Sequence, residues 1–311
     1  MLDSRSRRLM DEIIDLKKQK DVFLLAHYYQ RPEIQMIADY VGDSYAMALA
    51  ARDCSQSTIL VAGVDFMAET AAILCPDKTV LTPEPLATCP MANKVVIEDI
   101  IKYRQEHPDA VIVSYVNTPA EVKAVSDVCC TSSNAAKIVA QISPDRQILF
   151  VPDQHLGSYI AEKLGRNMEL YSSECPTHQR ITAEQLDQLK EQYPEAAILV
   201  HPECPKEIRD KADFIGSTSG IIDYAVKSPY QVLIIVTESG IMHSISEKCP
   251  EKKAILASEE LICPNMKSIT LEKIHYSILN KETLVEVPED TRIKSLSALE
   301  KMIEWTSRDT G

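Results

Sequence analysis

Glycine is scarce in this sequence, which has 8 glycines and 17 prolines among its 311 residues. No GxGxxG or GxxxxGK spacing is present, although both phosphate loops need glycine where the backbone approaches the ligand. The segment Gly216–Gly220 resembles a nucleophile elbow, but its central residue is Thr218 where that motif needs a serine. The scarcity therefore argues against a Rossmann-type dinucleotide site, a P-loop and a hydrolase elbow.

Positive charge and long apolar runs are also lacking. The chain has 33 Lys and Arg against 46 Asp and Glu, a net charge of −13, which argues against a nucleic-acid groove or an anionic membrane surface as partner. No apolar run approaches the roughly 20 residues that cross a bilayer. The segment Met1–Met10 has no apolar signal core. We therefore expect a cytoplasmic protein with no nucleic-acid or membrane partner.

What the sequence does contain is a threefold repeat. Three apolar segments that end in polar residues follow one another at offsets of 88 and 86 residues: Leu24–Tyr29, Ile112–Asn117 and Ile198–Glu203. Each is followed by a Glu, an aliphatic residue, an Asp and then a hydroxyl residue at matched spacing, the Asp residues being Asp39, Asp127 and Asp213. Self-similarity at a fixed period is typical of repeated structural units.

The repeat predicts an α/β fold, because continuous apolar strands alternate with amphipathic helices, as in parallel sheets covered on both faces. We expect three homologous doubly wound αβα domains related by pseudo-threefold symmetry. The predicted division is an N-terminal helix in 1–19, repeats in 20–107, 108–194 and 195–282, and a C-terminal extension with a helix in 283–311. The terminal helices are predicted at Arg7–Lys18 and Ser297–Arg308.

The ends of the repeated strands predict a central pocket, because ligands of such sheets bind beyond the carboxyl ends of the strands. The pocket would receive His27, Tyr29, Tyr115, Asn117, His201 and Glu203. Small hydroxyl-rich turns would open helices and present free N–H groups to an anion at Ser44, Ser132 and Thr218. The alternatives are ordinary helix caps and a repeat that serves folding alone.

Three of the nine cysteines occupy equivalent places, each before a proline: Cys89, Cys175 and Cys263. A reducing cytosol keeps thiols free for metals or catalysis, and three thiolates leave one coordination position open. The residues alone leave two choices, an iron–sulfur cluster or a zinc site completed by His178. We expect the other cysteines to be buried structural thiols: Cys54, Cys75, Cys129, Cys130, Cys204 and Cys249.

Further ordered motifs run along nearly the whole chain: Ala26–Gln30, Gly42–Ser44, Val64–Thr70, Ser114–Asn117, Thr131–Ser132, Cys175–His178, His201–Cys204, Gly216–Thr218 and Cys263–Lys267. In these motifs the sequence resembles the quinolinate synthase (NadA) family of NAD biosynthesis. The resemblance implies three domains in a triangle and a [4Fe–4S] cluster bound by Cys89, Cys175 and Cys263. It also implies the reaction, in which iminoaspartate and dihydroxyacetone phosphate condense to quinolinate with loss of phosphate and two waters.

The reaction needs groups that take up and release protons. We expect Tyr29 and Glu203 to be its general acid and base, and His27 and His201 to bind substrate anions and share the proton transfers. The expected substrate-binding set is completed by Ser44, Tyr115, Asn117, Ser132, His178 and Thr218, with Lys227 as a further candidate.

The family analogy gives the cluster the role of a Lewis acid in the final dehydration. It also implies a pathway partner, an L-aspartate oxidase or dehydrogenase, that supplies iminoaspartate. The alternative function is a zinc-stabilised or cluster-bearing sensor or binding protein without turnover.

Overall fold

The structure, a computed structural model, describes residues 3–308. It contains three four-stranded sheets in which all paired strands are parallel, interleaved with helices. The predicted fold class, three parallel-sheet αβα units, is therefore confirmed. We call residues 22–106 the first unit, 111–192 the second and 197–280 the third.

The first unit begins with the apolar strand β1 and has the strand order β2-β1-β3-β4. Its helices α3 and α4 each begin within three residues of the strand they follow, as the helical crossovers between parallel strands do. Its elements are β1 (Val22–His27), α2 (Pro32–Ile37), β2 (Tyr40–Gly42), α3 (Ser44–Asp53), β3 (Thr58–Ala62), α4 (Asp65–Leu74), β4 (Thr79–Leu81), a 3₁₀ turn (Ala92–Lys94) and α5 (Ile97–Glu106).

The second unit repeats this topology with the strand order β6-β5-β7-β8. Strands β5 and β7 are entirely buried, as expected for strands covered on both faces. Its elements are β5 (Val111–Tyr115), α6 (Ala120–Ala124), β6 (Val128–Cys130), α7 (Ala135–Ala140), β7 (Ile148–Val151), α8 (Gln154–Leu164), β8 (Glu169–Leu170), a 3₁₀ turn (His178–Arg180) and α9 (Ala183–Gln192).

The third unit has the same topology again, with the order β10-β9-β11-β12. Its elements are β9 (Ala197–Val200), α10 (Lys206–Arg209), β10 (Phe214–Ile215), α11 (Thr218–Lys227), β11 (Val232–Val236), α12 (Ile241–Lys248), β12 (Lys253–Leu256), α13 (Pro264–Lys267) and α14 (Leu271–Asn280). The shared order places the carboxyl ends of the first and third strands at the middle of one edge of each sheet.

The repeated aspartates tie the second strand of each unit to the first. The carboxylates of Asp39, Asp127 and Asp213 each accept a hydrogen bond of 2.8 Å from a backbone N–H, that of Leu24, Ile112 and Ile198 respectively. Charge-assisted bonds of this kind are stronger than neutral ones. The aspartate repeat is therefore a structural device that fixes where the second strand begins beside the first.

The terminal helices differ from their predicted bounds. Helix α1 covers Ser4–Gln19, close to the prediction, but α15 covers Glu289–Ser307 and begins eight residues before the predicted start. Pro288 precedes it and Glu289 and Asp290 lie in its first turn, where negative charge complements the helix dipole. Helix α15 packs on α4 of the first unit and α6 of the second. None of the helices in residues 3–308 has both the length and the apolarity to cross a membrane.

We expect Asp127→Ala to lower the free energy of unfolding by about 1–3 kcal/mol. The substitution leaves the N–H of Ile112 without its acceptor and removes the 2.8 Å ion pair between Asp127 and Arg104. Urea denaturation measures the effect, with Asp109→Ala in an exposed turn as control. Equal midpoints for the two variants would contradict the structural role of the aspartate.

Candidate active site

A cavity of about 360 Å³ lies among the three units, and residues from all three line it. Every residue of the predicted site faces it: His27, Tyr29, Ser44, Cys89, Tyr115, Asn117, Ser132, Cys175, His178, His201, Glu203, Thr218 and Cys263. Lys227 does not; it lies at the exposed end of α11, 3.8 Å from Asp223. The threefold register of the sequence therefore brings together residues as much as 236 positions apart.

Glu203 is the buried charge of this cavity. One carboxylate oxygen accepts the Tyr115 hydroxyl at 2.7 Å, and the other lies 2.9 Å from Nδ1 of His178 and 4.0 Å from Nδ1 of His201. Burial alone would raise the pKa of Glu203, but His201, His178 and Tyr115 outweigh it and hold that pKa well below its usual range. The carboxyl is therefore ionised at neutral pH.

A chain of hydrogen bonds connects Glu203 with Tyr29. The Tyr29 hydroxyl lies 2.7 Å from Oγ1 of Thr237, and that oxygen lies 2.9 Å from Nε2 of His178. His178 contacts Glu203 through its other ring nitrogen. With the proton of His178 on Nδ1, all three bonds run in one direction, from the tyrosine hydroxyl to the carboxylate. The arrangement can move a proton between two sides of the cavity.

Thr237 is the member of this chain that the sequence pattern missed. It follows β11 directly and is fully buried. The residues that follow the equivalent strands β3 and β7 are Gly63 and Pro152, so no threefold pattern marks the position. The sequence carries one sign of its role, a polar residue directly after a wholly apolar strand. A hydroxyl at such a place is expected to be buried, and a buried hydroxyl needs a hydrogen-bond partner.

Tyr29 is a protonated phenol in this setting. Burial, followed by the charge of Glu203, raises the pKa of Tyr29 well above its ordinary value. The Thr218 hydroxyl donates to the Tyr29 oxygen at 3.0 Å, and the His27 ring packs edge-on against the tyrosine at 4.5 Å. The phenol is thus held in one orientation with its proton directed at Thr237.

The two strand-end histidines are neutral. Burial lowers the pKa of His27 and of His201 to about 3 in each case. The His201 ring stacks on the His178 ring with centroids 4.8 Å apart. Neutral imidazoles bind an anion by donating a single hydrogen bond and without a full positive charge.

The amide oxygen of Asn117 is unpaired in the described part of the chain, and the hydroxyls of Ser44 and Thr218 are not used as helix caps. The Oδ1 atom of Asn117 is buried and has no hydrogen-bond partner among residues 3–308. The N-caps of α3 and α11 are Asp43 and Ser217, whose side chains accept backbone N–H groups at 3.0 and 3.2 Å. Ser44 and Thr218 are the first helical residues, so their hydroxyls do not cap the helices.

The three cysteine loops, Cys89–Lys94, Cys175–Arg180 and Cys263–Lys267, share one local geometry. Each cysteine precedes a short helical turn. Backbone N–H groups are directed at the thiols, in each loop including that of the third residue after the cysteine: Ala92, His178 and Met266. N–H groups directed at sulfur are a common device for tuning iron–sulfur sites.

The cavity contains donor groups that can hold a metal centre. Burial raises the pKa of the Cys89 thiol to about 12, and buried thiols of this kind give up their protons to a bound metal. Sulfurs that share one zinc lie about 3.8 Å apart, since each Zn–S bond is about 2.3 Å. Among residues 3–308 the three sulfurs do not form a group within 4.8 Å, whereas Cys175, His178 and Glu203 do.

Three cysteine loops, a group of side chains that can bind a metal and an acid–base chain in one cavity between parallel αβα units define the active site of an enzyme. The family model NadA, "Quinolinate synthetase A protein", matches residues 11–304. This chain therefore belongs to the quinolinate synthase family.

Individual relatives agree with the family match. A quinolinate synthase of Clostridium kluyveri is 48% identical over 296 residues, which cover 95% of this chain and 97% of the relative. A quinolinate synthase of Clostridium perfringens is 45% identical, covering 94% and 98% of the two chains. One of Methanosarcina barkeri is 43% identical, covering 95% and 97%. The likeness extends over the whole length of both proteins in each pair.

We expect the stability of the metal-free protein to fall as the pH falls below the ordinary histidine range. His27 and His201 have a pKa of about 3 when folded and about 6.5 when unfolded. Between these values the unfolded chain binds more protons, so the unfolding free energy rises with pH in that window and is lost on acidification.

The check is the urea midpoint from about pH 7 to about pH 5, where the decline should be smaller in His27→Gln than in the parent protein. His243→Gln on α12, outside the cavity, is the control. An unchanged slope in His27→Gln would contradict a neutral buried His27.

Proposed function

We propose that the cavity is an active site in which this chain forms quinolinate, from iminoaspartate and dihydroxyacetone phosphate, with release of phosphate and two waters. The supporting observation is that one cavity contains three thiols from three units together with a continuous acid–base chain. The family membership gives the product, and the quinolinate synthase name belongs to each of the relatives described above.

A [4Fe–4S] cluster bound by Cys89, Cys175 and Cys263 is the cofactor in this proposal. Such a cluster, when bound, supplies an iron without a cysteine ligand that serves as a Lewis acid. The N–H groups directed at the three sulfurs and the spacing of those sulfurs support this choice over zinc. No observation favours the sensor alternative.

Glu203 and Tyr29 are the general base and the general acid. Glu203 is ionised and can accept a proton, and Tyr29 is protonated and can donate one. After one such event the proton returns from the carboxyl to the phenol in the other tautomer of His178, in which Nδ1 accepts from the Glu203 carboxyl, Nε2 donates to Thr237 and the Thr237 hydroxyl donates to the Tyr29 oxygen. The two residues therefore return to their starting states without bulk water.

The remaining residues bind and orient the substrates. Tyr115 is held by Glu203 at 2.7 Å, and Asn117 offers its unpaired Oδ1 to a donor on the substrate. The hydroxyls of Ser44, Ser132 and Thr218 lie in the three equivalent turns and are proposed to hold phosphate and carboxylate groups. Neutral His27 and His201 add hydrogen bonds to these anions.

The location of the protein and the source of its substrate follow from the proposed reaction. We place it in the cytoplasm, with an L-aspartate oxidase or dehydrogenase as the source of iminoaspartate. Each repeat, in 20–107, 108–194 and 195–282, is proposed to fold as one domain that supplies one cluster ligand. The segments 1–19 and 283–311 add the terminal helices.

The protein purified without air should be brown and contain about four irons and four sulfides per chain. Cys263→Ala should lose this content, because it removes one of three ligands. Cys75→Ala, at a buried thiol outside the cavity, should keep it. Iron and sulfide analysis makes the measurement, and a colourless parent protein that retains zinc would refute the proposed cofactor.

Substitutions in the acid–base chain should lower kcat while the iron content stays unchanged. We expect a loss of about 10²–10⁴ for Glu203→Gln and about 10–10² for Thr237→Val, because each interrupts proton transfer. Thr58→Val, a buried threonine in β3, is the control. Quinolinate formation with saturating substrates is the assay, and full turnover by cluster-loaded Glu203→Gln would remove Glu203 from the mechanism.

A further inference from the structure

An acidic residue follows the third strand of each unit, and the acid–base chain uses none of the three. They are Asp65 after β3, Asp153 after β7 and Glu238 after β11. Their separations of 88 and 85 residues match the period of the repeat. Asp153 and Glu238 are completely buried, and Asp65 is half-buried. A buried carboxylate is costly unless it is hydrogen-bonded, so the partners of these groups indicate their purpose.

Glu238 holds the third cysteine loop at both ends. Its Oε1 atom accepts the backbone N–H of Cys263 at 3.1 Å, and the Lys267 ammonium lies 3.0 Å from the same oxygen. The other oxygen accepts the N–H of Gly240 at 2.7 Å. Lys267 also donates to the backbone carbonyl of Tyr29. One carboxylate thus fixes the first and last residues of the loop Cys263–Lys267.

The first and second units show the same relation in weaker form. The Asp65 carboxylate accepts the N–H of Phe66 at 2.8 Å, and the N–H of Cys89 is directed at it, although burial raises the pKa of Asp65 above its usual value. Asp153 accepts the N–H of Leu156 at 2.6 Å, and the N–H of Cys175 is directed at it, although burial raises the pKa of Asp153 well above its usual range. The Oδ2 atom of Asp153 makes no ordinary hydrogen bond within residues 3–308.

Helix capping explains only part of this pattern. Asp153 is the N-cap of α8, but the N-cap of α4 is Val64 and that of α12 is Gly240. The shared feature is the N–H of the cysteine. A bond to that N–H fixes the cysteine backbone on one side. On the other side, the N–H groups of the following turn are directed at the sulfur. The two contacts together determine where the thiol points.

We propose that Asp65, Asp153 and Glu238 are positioning residues that hold the three cysteine loops so that their sulfurs converge on the cavity. The inference rests on the proposed function in one respect, that these sulfurs bind a cluster. Its test separates the two ideas, because the position of a loop can be measured with and without metal.

The test compares Glu238→Ala and Glu238→Gln with Asp213→Ala in the full-length protein. The control removes a carboxylate in the same unit that accepts the N–H of Ile198 and does not touch a cysteine loop. The first readout is the rate at which the loaded protein loses its cluster absorbance to a chelator. The second is the rate of Cys263 alkylation by iodoacetamide in metal-free protein, followed by mass spectrometry.

We expect both rates to rise about tenfold in Glu238→Ala, the effect of losing one charge-assisted hydrogen bond. Asp213→Ala should leave both unchanged. Glu238→Gln should stay within about threefold of the parent, since its amide oxygen still accepts the Cys263 N–H. Equal acceleration in the Gln and Ala variants would show an effect of charge on the thiol and would overturn the inference.

Two further results also overturn the inference. One is an acceleration in Asp213→Ala as large as in Glu238→Ala, which would show general loss of stability. The other is a parental alkylation rate in Glu238→Ala. If Glu238→Ala does not fold, Asp65→Ala with Asp39→Ala as its control repeats the comparison at Cys89. A parent protein that takes up no iron would refute the cofactor alone, because the alkylation comparison needs no metal.

Discussion

The buried charge of Glu203 is the constraint on which the arrangement of the three units depends. A carboxylate without water must be hydrogen-bonded or it destabilises the fold by several kcal/mol. Its partners, Tyr115 and His178, come from the second unit, and His178 reaches Tyr29 of the first through Thr237. The charge is therefore stable only when all three units meet in one relative orientation.

Close backbone approach reinforces that orientation between the first and third units. A Cβ atom at Gly240 would lie 2.7 Å from the carbonyl oxygen of Tyr28, a distance that no real side chain adopts. The Gln35 amide donates to the carbonyls of Tyr28 and Gly240, both at 2.9 Å. The three similar units therefore enclose a site that lacks threefold symmetry, because each unit contributes a different acid–base residue. Two dissimilar substrates can be distinguished in such a site.

Features that recur in all three units could be predicted from the sequence, and features that occur in only one unit could not. The period located the strands, the three cysteines and the strand-end residues such as His27 and His201, because repeated polar residues stand out against an apolar background. Thr237 was missed because its counterparts are Gly63 and Pro152. The early start of α15 and the neutral state of both histidines depend on packing and burial between distant segments, which local patterns do not contain.

The placement of one cysteine loop in each unit has a consequence for biosynthesis. Cys263 is synthesised 88 residues after Cys175, a delay of about 4–18 seconds at the usual speed of a ribosome. During that interval the nascent chain displays two thiols of the set and not the third. In the proposed function, the complete set of cluster ligands therefore exists only once Cys263 has been synthesised.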